Sequence, residues 1–413
     1  MPRDTKSMLL VLTQVYVPDP ASVGQHMADA VEALAARGFR VRVVTSGRGY
    51  DDPSARYAPR EHHEGVEIYR VPCASFGKRN LFFRLAGAMS FVVQAMVRGV
   101  LGARPSAILV TTVPPMGALA ALIVAAVRRT PVVYWVMDLN PDQAVALGRV
   151  GENSILVTLM EALNRSILRR AAALVVLDRF MQARVSSKTT IKGRVTVLPP
   201  WPHEEFISPV DHASNPFRKA QGWEGKLVVM YSGNHGPSNP VDTLLEAAVL
   251  MREEPKVVFA FIGGGVGKAD VEETIRRHDL KNVVSLPYQP REQLRYSLSA
   301  ADIHVVTLGR EMVGIVHPCK IYGAMAAGRP VILIGPERSH ASDILALDLI
   351  GWRVEHGDAE GLVRLLKSLQ MGEPEELHEM GRRAQGIIAA HFSKEKLCGA
   401  FCDEVERVAR PVG

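Results

Sequence analysis

Three side chains able to do acid–base or ionic chemistry fall in one short stretch, EMVGIVHPCKIYGAMAAGRPVI, which runs from Glu311 to Ile332. They are Glu311, His317 and Lys320. The preceding run ADIHVVTL predicts a strand, and KIYGAMAAG predicts a helix that stops at Gly328. In parallel α/β folds such strand-to-helix crossings line the ligand crevice. Because N–H groups at a helix start favour an anion and Lys320 lies beside them, we predict a phosphate site.

Two glycine-rich turns in the second half of the chain could also contact a ligand. YSGNHG (231–236) follows a predicted strand, and its glycines allow backbone amides to face a bound group. FIGGGVGKAD (261–270) matches neither nucleotide fingerprint, because a P-loop needs Gly at Ile262 and a dinucleotide motif needs Gly at Lys268. We interpret it as a tight turn near a ligand, the alternative being a turn without one. The candidate contacts are Gly233, Asn234, His235, Gly236, Gly263 and Gly264.

The first half of the chain offers fewer candidates. Asp138, in DLNPD, follows the predicted strand PVVYWVM, and we expect it at the equivalent strand-end position of a first domain. Gly24 and Gln25, in PDPASVGQHM, lie at the start of a predicted helix, which is a second anion-friendly terminus. EHHE (61–64) resembles metal ligands, but adjacent residues do not converge on one ion and no partner motif is present. We therefore predict an exposed loop there and no metal site.

These residues are carried by two alternating series of predicted strands and helices. The alternation predicts an α/β fold of two doubly wound, Rossmann-like domains that face each other across a cleft. The polar, proline-containing stretch 203–222 is predicted as the linker. We place the first domain at residues 1–205, completed by a C-terminal helix at 390–413, and the second at residues 206–389. Asp138 would then face YSGNHG and the Glu311–Ile332 stretch across the cleft.

Charge is distributed unevenly along the chain. Residues 1–200 contain 25 Lys and Arg against 14 Asp and Glu, whereas residues 201–413 contain 24 against 29. A basic first half indicates a partner that is a membrane surface, a nucleic acid or a phosphate-bearing substrate. Nucleic acid is disfavoured, because no basic run is interleaved with aromatic residues. The four cysteines form no CxxC pair, so we expect reduced thiols.

An uncharged run from Leu85 to Val97 stands out in the basic half. Four arginines flank it, and it is too short to span a bilayer. It therefore predicts either an ordinary core helix or a helix at the membrane interface, and the arginines favour the interface. The residues proposed for membrane contact are Arg79, Arg84, Phe91 and Arg98, with Leu85, Val92 and Met96 as further apolar area.

Six motifs in this order together resemble one enzyme family. They are VPDPASVGQHMADAVEALAARGFRVRVVTS, TTVPPMGALAALI, DLNPDQAVALG, YSGNHG, SLPYQPREQL and PCKIYGAMAAGRPVI. The combination resembles the retaining GT-B glycosyltransferases of bacterial exopolysaccharide and O-antigen assembly, most closely the branch that uses polyprenyl-diphosphate-linked acceptors. The resemblance implies transfer of a hexosyl or N-acetylhexosaminyl group from a nucleotide-diphosphate sugar, without a metal or other cofactor. A UDP-sugar is the expected donor, with a GDP-sugar as the alternative.

The resemblance also implies roles for individual residues. Glu311 matches the first carboxylate of the family's E-x7-E element, which contacts the donor sugar, whereas the second aligns with Gly323, four residues late. Lys320 matches a lysine that neutralises the donor diphosphate, which retaining transfer needs because charge grows on the leaving group. Asp138 stands at a position of acceptor or sugar contact, where Met137 replaces a usual histidine. The remaining donor-side candidates are Tyr288, Gln289, Val313, Gly314, Ile315 and Val316.

The expected setting is the cytoplasmic face of the inner membrane, as a peripheral protein. Two other functions stay open at this point. One is a GT-B-fold sugar-nucleotide epimerase, which would need no hydrophobic acceptor face. The other is a non-catalytic scaffold of the same fold, which the residues Gly323, Asn234 and Met137 suggest, since functional side chains are usual at those positions.

Overall fold

The computed structural model describes residues 7–19, 21–49, 52, 54–72, 74, 81–191, 193–203 and 207–409. It divides into two compact units. The first comprises Met1–Pro200, Gly314–Val316 and Glu395–Gly413, and the second comprises Trp201–Val313 and His317–Lys394.

Strands and helices alternate through most of both units. In chain order the strands are β1 (Met8–Leu12), β2 (Arg40–Ser46), β3 (Arg60–His63), β4 (Val66–Val71), β5 (Ala107–Thr111), β6 (Val132–Trp135), β7 (Ala173–Val176), β8 (Val195–Val197), β9 (Leu227–Ser232), β10 (Val257–Ile262), β11 (Val283–Leu286), β12 (Ile303–Thr307), β13 (Val331–Ile334) and β14 (Gly351–Val354). The helices are α1 (Ser22–Ala36), α2 (Leu81–Leu101), α3 (Gly117–Arg128), α4 (Asp142–Ala146), α5 (Ile155–Arg170), α6 (Arg179–Lys188), α7 (Pro216–Ala220), α8 (Asp242–Leu250), α9 (Lys268–His278), α10 (Leu294–Ser299), α11 (Lys320–Ala326), α12 (His340–Leu345), α13 (Ala359–Met371), α14 (Pro374–Ile387) and α15 (Lys394–Ala409).

The first unit contains a sheet in the order β3-β4-β2-β1-β5-β6-β7-β8. Every pairing is parallel except that of β3 with β4. The chain winds outward from β1 in one direction and then returns to β5 on its other side. This reversal of direction is a topological switch point, beside which α/β proteins bind ligands.

The second unit contains a parallel sheet in the order β11-β10-β9-β12-β13-β14, with its switch point between β9 and β12. Its four inner strands, β10, β9, β12 and β13, are buried on both faces, as alternate residues enter two separate cores. Val229, Tyr231 and Phe259 belong to one core, whereas Val228 and Met230 belong to the other. Burial on both faces explains why these strands are continuously apolar in sequence. The α/β fold predicted for both halves is confirmed.

The C-terminal helix α15 belongs to the first unit. Phe401 on this helix lies 4.2 Å, centroid to centroid, from the ring of Trp135 at the end of β6. At its edge, Arg37 donates to Asp403 at 2.7 Å and to Glu406 at 3.0 Å. Large aromatic side chains buried in this way stabilise a fold by about 1.5–3 kcal/mol each, so α15 is a structural part of the first unit.

Two local predictions from the sequence are wrong. The predicted linker 203–222 ends in helix α7, whose Arg218 is buried and donates to Asp302 at 3.0 Å and to the Ala300 carbonyl at 2.6 Å. The stretch 61–64 is not a loop, because three of its residues form the exposed edge strand β3, which pairs with β4. Among the described residues, no helix combines the length and apolar character needed to cross a bilayer.

Candidate functional site

Two loops meet beside the switch point of the second sheet. One follows β9 and contains Gly233 to Gly236, and the other follows β12 and leads into α11 at Lys320. Because β9 and β12 are neighbours, their carboxyl ends lie at one edge of the sheet. The sheet topology therefore brings together Gly233 and Lys320, which are 87 positions apart in the sequence and which the sequence assigned to one site.

The glycine turns pack backbone against backbone. A Cβ at Gly263 would lie 2.0 Å from the Gly233 carbonyl oxygen, and one at Gly265 would lie 2.2 Å from Asn234 Oδ1. Gly263 and Gly265 also have φ values of +135° and +118°, which L side chains rarely adopt. The turns after β9 (Gly233–Gly236) and β10 (Gly263–Gly267) thus form one compact surface, here called the floor. This close packing accounts for the glycines of FIGGGVGK, although the motif is not a nucleotide fingerprint.

Lys320 is the basic group of this floor. Its ammonium lies 5.3 Å from the centre of the Tyr231 ring, and its aliphatic chain lies over Gly233. Burial lowers its pKa from 10.5 to about 8. Within the part of the chain that the structure describes, no carboxylate forms an ion pair with Lys320. Helix α11 has only seven residues, so the affinity for an anion rests on the lysine more than on the helix dipole.

His235 lies beside Tyr231, with the two ring centroids 5.0 Å apart. Its Nδ1 lies 3.3 Å from the Gly264 carbonyl oxygen, and its backbone N–H donates to the same oxygen at 2.7 Å. Its Nε2 is buried and has no hydrogen-bond partner in the described structure. Burial lowers its pKa, so the imidazole is neutral near pH 7. A neutral ring contributes packing and one free acceptor, but no positive charge for a phosphate.

Two further side chains border the floor on the β10 side. Lys268 donates to the carbonyl oxygens of Gly263 at 2.8 Å and Leu286 at 2.6 Å, so its charge is used inside the fold. The Tyr288 ring lies over Gly264, where an added Cβ would come within 2.9 Å of Cε2. Tyr288 is 60% exposed and therefore presents an open aromatic face. Its neighbour Gln289 donates to the Pro287 carbonyl at 2.9 Å.

The loop between β12 and α11 contains the remaining donor-side candidates. Glu311 lies on a short 3-10 turn, Arg310–Met312, and its side chain is exposed. Val313 belongs to the second unit, whereas Gly314, Ile315 and Val316 group with the first. The predicted contacts of this loop are therefore divided between the two units. Gly314 has φ +69°, a conformation that favours glycine.

In the first unit, Asp138 lies just beyond β6. The hydroxyl of Thr112 accepts the N–H groups of Met137 at 3.3 Å and Asp138 at 3.2 Å, which holds the strand end in place. Burial raises the pKa of Asp138 to about 6. A carboxyl with this pKa can change its charge close to neutral pH, as acid–base and ligand-binding groups often do.

The start of α1 is less suited to an anion than the sequence suggested. Gly24 packs tightly, since an added Cβ would lie 3.1 Å from Tyr16 Cα, and Gln25 follows it, half-buried. The buried carboxylate of Asp19 accepts the Ala21 N–H at 3.1 Å. A negative charge therefore already occupies the positive end of this helix.

The burial of side chains on helix α2 changes which residues can contact a membrane. Phe91 is fully buried and Val92 is 2% exposed, so neither can enter a lipid surface and their assignment is wrong. Arg79 and the side chains of Arg84 and Leu85 lie outside the described residues. Arg98 is exposed, near the Tyr69 ring. The exposed apolar side chains of the same helix, here called the α2 stripe, are Phe83, Met89, Val93, Val97 and Leu101.

Sequence reasoning missed three residues that shape the site, Tyr231, Tyr322 and His340. Tyr231 lies under Lys320, and Tyr322 forms hydrogen bonds to His340 and to the already predicted His317. Tyr231 was inside a quoted motif but read only as part of its strand. The residue types were the available signal, because a tyrosine or a histidine tends to form a hydrogen bond to a polar partner when it is buried.

Comparison with known proteins agrees with the fold and with the motifs. A family described as "Glycosyl transferase 4-like domain" matches residues 22–201, and one described as "Glycosyl transferases group 1" matches residues 214–386. Together these two matches cover most of both units. The chain belongs to the GT-B glycosyltransferase family.

The relatives of this GT-B protein include two bacterial proteins. WbjE of Pseudomonas aeruginosa, named as a glycosyltransferase, is 30% identical over 57% of this chain and 59% of its own length. WcaI of Escherichia coli (strain K12), named as a colanic acid biosynthesis glycosyl transferase, is 26% identical over 79% of this chain and 82% of its own. The chain thus spans less than two thirds of the first relative.

A solved structure has the same fold. Anabaena Alr3699/HepE in complex with UDP-glucose has a TM-score of 0.72 and 14% identity, and the alignment covers 97% of this chain and all of that one. Because the sequence identity is low, this match supports only the shared architecture.

Proposed function

We propose that this protein transfers a sugar from a nucleotide-diphosphate sugar to a polyprenyl-diphosphate-linked glycan during assembly of a cell-surface polysaccharide. The donor is a UDP-sugar, the transferred group is a hexosyl or N-acetylhexosaminyl residue, and its anomeric configuration is retained without a metal. The names of the relatives support polysaccharide assembly, and the Anabaena complex supports UDP as the nucleotide.

The observation that carries this proposal is the half-buried position of the Lys320 ammonium, with which no carboxylate of the described residues forms an ion pair. A half-buried ammonium without a carboxylate partner is unfavourable unless an anion joins it. It lies beside glycine turns whose backbone can approach a ligand closely, at a switch point where α/β folds bind nucleotides. A diphosphate supplies the missing negative charge.

Each residue of this site has a defined task in the proposed reaction. Lys320 stabilises the charge that grows on the β-phosphate as the sugar–phosphate bond breaks. Tyr288 offers an exposed aromatic face to the base, and Glu311 accepts hydrogen bonds from donor-sugar hydroxyls. Asp138, in the first unit, is proposed separately as a contact of the acceptor or the sugar.

A donor panel tests the function directly. Purified protein is titrated calorimetrically with UDP, GDP and inorganic phosphate, and then incubated with UDP-sugars and lipid-diphosphate-linked sugars. We expect UDP to bind more tightly than GDP, product to form in EDTA, and ¹H NMR to show a retained anomeric configuration in the product. Product with inverted configuration would refute retention, and loss of transfer in EDTA would refute metal independence.

The same panel separates the two alternatives. An epimerase would convert the sugar nucleotide into a second sugar nucleotide without any acceptor, which NMR of the donor alone would detect. A scaffold would transfer no sugar and need not bind either nucleotide. Transfer that requires the lipid-linked acceptor excludes both.

We also propose that the α2 stripe contacts the membrane that carries the acceptor. Val93, Val97 and Leu101 are spaced by four residues and therefore lie on one side of the helix. They are 49%, 45% and 81% exposed, in a helix that contains no Asp or Glu. Exposed apolar side chains beside Arg98 suit a lipid surface with anionic headgroups.

Liposome co-sedimentation tests this contact. The double variant Val93→Ser/Val97→Ser should pellet less than the wild type at every salt concentration, whereas Arg98→Glu should pellet less only at low salt, because salt screens charge over about 8 Å at physiological strength. Met371→Ser is the control, since Met371 is 83% exposed in the second unit. Wild-type protein that pellets with neither acidic nor neutral liposomes would exclude the α2 stripe as a membrane contact.

A further inference from the structure

A tyrosine hydroxyl joins two histidines close to Lys320. The Tyr322 hydroxyl lies 2.8 Å from His317 Nε2 and 2.9 Å from His340 Nε2. The two imidazole centroids are 4.6 Å apart. Tyr322 is 2% and His317 9% exposed, so both hydrogen bonds lie mostly out of water. We refer to these three residues as the His–Tyr–His cluster.

The hydroxyl has one proton and can therefore donate to only one of the two imidazoles, while its oxygen can accept from an imidazole N–H. Phenylalanine at position 322 would break both hydrogen bonds at once, whereas loss of either histidine would break one.

The cluster includes residues on both sides, along the chain, of Lys320, the residue proposed to bind the diphosphate. His317 precedes Lys320 by three positions, and Tyr322 follows it by two in the first turn of α11. His340 begins α12, where Ser339 accepts the Ser342 N–H. The hydroxyl thus ties the chain on both sides of Lys320 to a third segment. The Tyr322 ring packs on Phe392, with centroids 5.2 Å apart, which fixes the other side of the ring.

We infer that Tyr322, His317 and His340 are positioning residues that hold Lys320 over Gly233 for a nucleoside diphosphate. This inference rests on the proposed function and identifies what orients its main charged group. A lysine side chain has four rotatable bonds, so a fixed helix start is needed to keep its ammonium in one place. The cluster supplies this fixed point by hydrogen bonds that Lys320 itself does not make.

The first experiment needs no ligand. Lysines are labelled by reductive ¹³C-methylation, and the Lys320 signal is assigned by its loss in Lys320→Arg. In the wild type we expect a signal shifted by the Tyr231 ring that titrates near pH 8. In Tyr322→Phe the signal should move towards that of an ordinary exposed lysine. Tyr296→Phe, on α10 of the same unit, is the matched control and should leave it unchanged.

The second experiment measures UDP affinity by calorimetry. Tyr322→Phe should weaken binding about five- to twentyfold, as expected for two lost hydrogen bonds that act through one lysine. In a Lys320→Ala background the same change should have little further effect, because the two residues would act as one unit. Equal loss in both backgrounds would indicate a general structural role and overturn the inference.

The two experiments keep this inference separate from the proposed function. If wild-type protein does not bind UDP, the proposed function fails, while the methyl signal still tests the cluster. If Tyr322→Phe does not fold, His340→Ala removes one of the two hydrogen bonds and should give a smaller shift in the same direction. A Lys320 signal that is identical in wild type and folded variants would refute the positioning role.

Discussion

Lys320 occupies the space that a side chain at Gly233 would need. A Cβ at Gly233 would lie 2.5 Å from Lys320 Cε and 3.2 Å from Cδ, closer than carbon atoms approach without displacement. Gly233 also has φ +136°, which L side chains rarely adopt. The turn after β9 is thus shaped to receive one lysine from the loop after β12.

Gly233→Ala should therefore displace Lys320 and weaken UDP binding about tenfold or more, in line with the loss of a charge-assisted hydrogen bond. Gly225→Ala is the matched control. Gly225 has φ +69° but no heavy atom within 4 Å of an added Cβ, so it tests backbone strain alone. Calorimetry on both variants, with melting temperatures, separates the effects. A similar loss of affinity in both would contradict the contact.

UDP binding should weaken as the pH rises through about 8. Burial lowers the Lys320 pKa to about 8, so the free protein loses the ammonium above that pH and with it the attraction for the diphosphate. Lys320→Arg should remove this decline, because a guanidinium stays charged, while Lys320→Ala should lower turnover roughly ten- to a hundredfold below pH 8 and by a smaller factor above it, where the wild-type lysine is neutral. Kd and kcat/KM measured from pH 6.5 to 9.5 test this. A decline that persists in Lys320→Arg would assign it to another group.

Glu311→Gln should impair transfer more than nucleotide binding. The proposed partner of the exposed Glu311 carboxylate is the donor sugar, which bare UDP lacks. We expect kcat/KM to fall about tenfold and UDP affinity to stay within about twofold, because hydrogen bonds to a charged group contribute about 1.5–3 kcal/mol. Glu292→Gln, exposed in the same unit, is the control. Equal losses of affinity for UDP and for the UDP-sugar would exclude sugar contact.

Asp138→Asn should raise stability at neutral pH while it lowers activity. The folded-state pKa of Asp138, about 6, lies above the ordinary value of 3.8, because burial disfavours the carboxylate. The protonated Asp138 carboxyl therefore contributes its full share of the free energy of unfolding below pH 4, and this share is lost as the pH rises through 6 and the carboxyl ionises. Asparagine cannot ionise, so Asp138→Asn avoids this loss of stability, which we put at roughly 1–2 kcal/mol after a discount for partial exposure.

Thermal unfolding at two pH values measures this effect. The melting temperature of Asp138→Asn should exceed that of the wild type at pH 7.5 by roughly 2–4 °C, and the difference should shrink at pH 4.5. A gain of the same size at both pH values would not come from the carboxylate. The assay of transfer on the same samples shows whether the ionisable group is needed.

The sequence was informative where local chemistry decides the structure. Continuous apolar runs such as Val257–Ile262 identify buried parallel strands, and the loops that follow them must lie at one sheet edge. That reasoning placed Gly233 and Lys320 in one site before any contact was known. Glycines at 233 and 263 signalled close backbone approach for the same local reason.

Elsewhere the deciding contacts are distant in sequence. Helix α2 is apolar on most of its circumference, so its periodicity could not show that Phe91 faces the core and Val93 does not. Arg218 lies in a polar stretch that resembles a linker, and its hydrogen bonds to the Ala300 carbonyl and to Asp302, more than 80 positions later, tie that stretch to the second unit. Lys268 resembles a phosphate-binding residue until its two carbonyl partners are seen.

The first unit cannot complete its fold until helix α15 has been synthesised. Residues up to Pro200 leave the ribosome long before Glu395, yet the Trp135 ring is covered by Phe401 from the far end of the chain. At typical elongation rates the first unit waits about 10–40 s for its last helix. During that interval an apolar surface beside β6 is open to chaperones or to other nascent chains, and a premature stop before Lys394 would leave it open permanently.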